Sequence, residues 1–134
     1  MPANKDQTIH TLYYILPPLF GFIAVATGAF GAHALDGKLA SQNIEWWQTA
    51  SEYLIYHSLA SLFSISLYQS QPKVRHCCTL FSSGNLLFCG SLFFMALTSN
   101  KSLAILTPIG GLLYLAGWGY MIWIFLRIRI MTTS

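Results

Sequence analysis

Apolar residues fill four long intervals of the chain, with short polar segments between them, and the pattern predicts helices that cross a membrane. No charged side chain occurs between Asp6 and Asp36, Glu52 and Lys73, Arg75 and Lys101, or Lys101 and Arg127. Each interval is about 20 residues or longer, enough helix to cross a hydrocarbon core about 30 Å thick. The expected spans are residues 11–35, 52–69, 77–97 and 103–126. The expected fold is therefore all-α: a polytopic membrane protein with a single transmembrane domain over residues 1–134, built as a four-transmembrane-helix bundle.

Local features refine this outline. Pro17 and Pro18 fall in the first turns of span one, where missing N–H groups cost least, and predict a kink or a late helix start. Ala32-His33-Ala34 matches a small-x-small cleavage pattern, but the apolar run before it is far longer than the h-region of a signal peptide, so the span is expected to stay. Between spans one and two, residues 44–48 hold Trp46 and Trp47 and predict a short interfacial helix running into span two. Ser58, Ser61, Ser64 and Ser66 make span two unusually polar and assign it to the bundle interior.

Composition agrees with the pattern. The 134 residues are 54% hydrophobic and 8% charged, whereas a soluble domain carries about a quarter charged residues. The net charge of +3 comes from basic residues at span ends. They form no stripe or phosphate loop, which argues against a nucleic-acid partner. With four spans, Lys5, Lys73, Arg75, Arg127 and Arg129 share one side, against Lys38 and Lys101 on the other. That excess predicts a cytoplasmic location for both termini. Cys77, Cys78 and Cys89 have neither metal-finger nor redox spacing. They suit packing, with lipidation of Cys77 or Cys78 as the alternative.

Helix association in lipid relies on close packing and polar contacts. Ala24, Gly28 and Ala32 recur every four residues, and Gly31 lies beside them. Gly84, Gly90, Gly110, Gly111 and Gly117 supply small positions in spans three and four. All are candidate crossing points. Asn85 is a candidate interhelical hydrogen-bonding residue within span three.

The candidate chemistry gathers below the first loop. His33 near the end of span one and His57 near the start of span two are expected at similar depth. Glu52 with Tyr56, and Tyr53 with His57, are four apart and share helical faces. These five residues could surround one polar pocket, because ionisable groups inside a span are usually partnered or functional. Three uses remain open: a structural hydrogen-bond network, a small-molecule, lipid-headgroup or proton-handling site, and haem or metal ligation by His33 and His57. No catalytic constellation is evident.

Four blocks carry a family resemblance: GAFGAHAL at 28–35, YLIYHSLA at 53–60, GNLLFCGSLFFMAL at 84–97 and TPIGGLLYLAGW at 107–118. In this order they resemble the family "domain of unknown function 423", also called uncharacterised protein family 0382. The resemblance implies a small integral membrane protein, of the inner membrane in bacteria, with no established activity, substrate or cofactor. The family pattern falls on Gly28, Gly31, His33, Tyr53, Tyr56, His57, Gly84, Gly90, Ser91, Pro108, Gly110, Gly111, Gly117 and Trp118. Cys89 departs from it, since a serine is usual there. The expected function is a non-enzymatic structural or accessory component of the envelope, with lipid and a second copy or another membrane protein as partners. A small transporter or channel subunit is the alternative, and a haem- or metal-binding protein a further one.

Overall fold

The computed structural model describes the backbone of residues 5–35 and 37–132 and the side chains of 11–31, 33–35 and 37–129. It is all-helical among those residues: α1 (Lys5–Ala34), α2 (Ser41–Ser66), α3 (Arg75–Gly84), a π-helical segment (Asn85–Cys89), α4 (Gly90–Thr98) and α5 (Leu106–Thr132). α3, the π segment and α4 follow one another without a break and form one rod. Three stretches are long and apolar enough to cross a membrane: Thr11–Gly31, Pro72–Thr98 and Leu106–Arg129. α2 is long enough too, but it does not reach the same hydropathy.

The distribution of polarity is inverted relative to a water-soluble protein. Phe22, Val25, Leu112 and Leu115 are each about two-thirds exposed or more, while Ser58, Ser61 and Ser64 are wholly buried. In lipid, apolar side chains lose nothing by facing outward, whereas polar groups must find partners inside. α2 accordingly takes the central position, packing on α1, α3, α4 and the π segment. Three of its buried serines turn back on their own helix: Ser51 Oγ reaches Trp47 O at 3.1 Å, Ser58 Oγ donates to Leu54 O and Ser64 Oγ to Ala60 O at 2.9 Å. Burial of Cys77 and Cys78 fits packing and leaves neither thiol presented for lipidation.

Several expectations need correction. No separate interfacial helix precedes span two, because residues 44–48 belong to α2, which begins at Ser41. The cause is a buried stripe at four-residue spacing. Asn43 Nδ2 donates to Ala96 O at 2.9 Å and to Ser99 Oγ at 2.7 Å. Trp47 Nε1 donates to Thr27 O at 2.7 Å, and Ser51 Oγ, 3.1 Å from both Trp47 O and Thr27 Oγ1, shares its one proton between them. Trp47 is thus a core residue and not an interfacial one. α1 also runs through Pro17 and Pro18 instead of starting there. Ser99, in the left-handed conformation (φ 55°), ends α4, its N–H reaching back to Met95 O.

Asn43 therefore ties the start of α2 to the end of α4. Asn43→Ala removes both donors and is expected to cost about 2 kcal/mol. Thermal unfolding of the detergent-solubilised chain measures this, and an unchanged midpoint would refute the tie.

Glycines divide by helical face. An added Cβ at Gly31 would meet the Trp47 ring at 2.5 Å, at Gly84 the Tyr114 ring at 2.6 Å and at Gly117 the Phe81 ring at 2.6 Å. Gly110 abuts the backbone of Phe88, and Gly111 touches the Phe88 ring more loosely, at 3.9 Å. Gly28 and Gly90, expected at crossings, have nothing within 4 Å. Ala24 and Gly31 share the buried face of α1, while Gly28 meets no neighbour there. Ala32's side chain lies outside the described residues.

Candidate functional site

The densest polar and aromatic arrangement among the described residues centres on His57, where α2 meets the π segment and α5. His57 is 6% exposed, and its ring stacks on Tyr114 with centroids 3.5 Å apart and planes 10° from parallel. Trp118 Nε1 donates to His57 Nε2 at 3.3 Å. Indole N–H is only a donor, so Nε2 is the acceptor nitrogen and the proton sits on Nδ1. Nδ1 in turn lies 2.8 Å from Tyr53 O and donates to it. The imidazole is neutral and both nitrogens are engaged.

On the far side of Tyr114 the network continues into the π segment. The Tyr114 hydroxyl donates to Asn85 Oδ1 at 2.9 Å. Its single proton being spent there, the Cys89 thiol, 3.2 Å from the Tyr114 oxygen, donates to it. Asn85 thus makes the interhelical bond its sequence position suggested. Its Nδ2 has no partner among the described atoms. The π segment, which widens the helix by one residue per turn, carries Asn85 and Cys89 at its ends and presents both to Tyr114. Such segments are common at functional sites.

Tyr53, His57, Phe88, Gly111, Tyr114 and Trp118 line an open groove of about 590 Å³. Tyr53 is 40% exposed and stacks on Phe88 at 4.8 Å between centroids. The groove is aromatic, with Tyr53 and Trp118 at its exposed rim.

Of the five residues expected to form one polar pocket, the structure brings Tyr53 and His57 together. Glu52 and Tyr56 are exposed and do not line the groove. His33 is exposed near the end of α1. The His33/His57 pairing fails on register. Trp47 crosses α1 at Thr27 and Gly31, whereas Ser58, next to His57, faces Gly21. His33 lies twelve residues beyond Gly21, about 18 Å along the helix. The expectation of equal depth placed the start of α2 too late. Tyr114 was not singled out from the sequence, although its spacing of three after Gly111 and before Gly117 puts it on the glycine-rich face of α5.

An apolar exterior around inward-turned serines, asparagines and an imidazole defines a multi-helix membrane protein. The chain belongs to the family described as "Protein of unknown function (DUF423)", whose model matches residues 27–111. It is 40% identical over 108 residues to the UPF0382 membrane protein SAB0533 of Staphylococcus aureus (strain bovine RF122 / ET3-1), covering 80% of this chain and 88% of that relative. It is 37% identical over 110 residues to the UPF0382 inner membrane protein YgdD of Escherichia coli (strain K12), covering 81% of this chain and 84% of the relative. No solved structure matches.

Proposed function

We propose that this chain is a non-enzymatic accessory component of the bacterial inner membrane, with four crossings, both termini in the cytoplasm, and no resident cofactor. α2 counts as the fourth crossing because it lies antiparallel along α1, meeting Gly31 at Trp47 and Gly21 at Ser58. A helix in that register shares the membrane depth of its neighbour. Its low hydropathy fits a rod shielded by α1, α3 and α4.

The observation that carries the functional reading is the state of His57. Its Nε2 lone pair accepts from Trp118 and its Nδ1 proton is given to Tyr53 O, leaving no free lone pair for iron or zinc and no idle proton acceptor. The imidazole then serves as a clamp holding α2 against α5. His57→Ala is expected to lower stability by about 3 kcal/mol, from lost stacking and an orphaned indole. Purified protein should be colourless, and proteoliposomes should conduct no more solute or protons than empty vesicles. A Soret band would establish the haem alternative. Flux abolished by His57→Ala in a variant that still folds would establish the transporter alternative.

A further inference from the structure

Lys73, in the turn after α2, and Arg127, near the end of α5, converge on one indole. Lys73 Nζ lies 5.5 Å from the Trp123 ring centroid and Arg127 Cζ 4.6 Å from it. Both cations therefore lie within about 10 Å of each other, where like charges repel, and the faces of a tryptophan offset only part of that cost. An anion between them would remove it. The protein supplies none from the described carboxylate side chains: Glu45 and Glu52 lie in the first half of α2, toward the opposite end of the bundle. The Asp6 side chain lies outside the described residues.

The cations border a mostly apolar pocket of about 240 Å³. Gln71, Lys73 and Arg127 supply donors, Trp123 the platform, and Ile124 and Ile128 the apolar wall. Trp123 is 39% exposed and sits one turn before Arg127, at the end of a helix apolar enough to span a bilayer. Tryptophan at that position marks the level of lipid headgroups. An amphiphile with phosphate at one end and hydrocarbon at the other matches an apolar lining bordered by two cations. We propose that this pocket binds the phosphate headgroup of an anionic phospholipid, with Lys73 and Arg127 on the phosphate and the acyl chains descending past Ile124 and Ile128.

Lys101 provides an internal control. Its Nζ lies 5.6 Å from the Trp46 ring centroid, toward the other end of the bundle, with the same kind of cation–indole contact and, among the described residues, no second cation over that ring.

The test is native mass spectrometry of the full chain in detergent with phosphatidylglycerol, phosphatidylcholine of the same acyl chains, and inorganic phosphate. Phosphatidylglycerol should be retained roughly tenfold better than phosphatidylcholine, as two surface cations allow. Lys73→Gln/Arg127→Gln should abolish the preference, and Lys101→Gln should keep it. Because these cations also influence insertion, Arg127→Gln alone provides a milder variant, in which the preference should fall to a few-fold. Equal retention of the two lipids, or a preference untouched by the double variant, would overturn the proposal. Displacement of phosphatidylglycerol by inorganic phosphate would overturn the lipid assignment and identify a site for free phosphate.

Discussion

Gly110→Ala should leave little folded protein, with a loss of about 3 kcal/mol or more. Overpacking a well-filled interior costs about 1–3 kcal/mol when side chains can adjust. Here the new methyl would meet the main chain, at 2.8 Å from Phe88 Cα and 2.7 Å from its Cβ. Backbone cannot swing away as a side chain can. Relief would push α5 from the π segment and so separate Tyr114 from Asn85 and Cys89. Gly28→Ala supplies the contrast: nothing lies within 4 Å, and alanine favours helix over glycine by about 1 kcal/mol. That variant should melt at or slightly above the wild-type temperature. Size-exclusion profiles and thermal unfolding in one detergent compare the two. Similar melting points for both would show that the α5–π crossing is looser than described.

Tyr114→Phe should cost about 2–3 kcal/mol although it removes a single oxygen. Asn85 is 2% exposed, its Nδ2 is already without a partner, and its Oδ1 accepts from Tyr114. Loss of the hydroxyl would leave the whole amide buried and unpaired and deprive Cys89 of its acceptor. A buried polar group stranded in this way costs more than the bond itself was worth. The His57 stack should survive, because the ring remains. Asn85→Leu in the Tyr114→Phe background should then recover part of the loss, a non-additivity expected of residues in one network. Strict additivity of the two changes, read from unfolding free energies, would contradict the coupling.

Part of this molecule was legible from the order of its residues. The inward serines of α2 followed from its polarity, and Asn85 from its isolation in an apolar run. The sequence places the start of α2 too late, because residues 36–51 read as a polar segment holding only a short interfacial helix at 44–48. Asn43, Trp47 and Ser51, one helical turn apart, were the signal of a buried stripe, but their partners Ala96, Ser99 and Thr27 lie on other helices. That error displaced His57 by about three turns and created its supposed pairing with His33. The π segment was likewise unreadable, since no residue type specifies it. Gly84 packs against Tyr114 while Gly90, six residues on, faces outward.

The sequence by itself determined that the chain is helical and lives in a membrane. Hydrocarbon leaves backbone polar groups no partner but their own helix, so four charge-free intervals of that length admit few other folds. Only the tertiary structure decided which small residues meet a neighbour, which imidazole is enclosed, and which two cations share an indole. Those outcomes depend on the rotation and register of one helix against another, set by contacts between residues far apart in the chain, and periodicity along a single helix does not encode them.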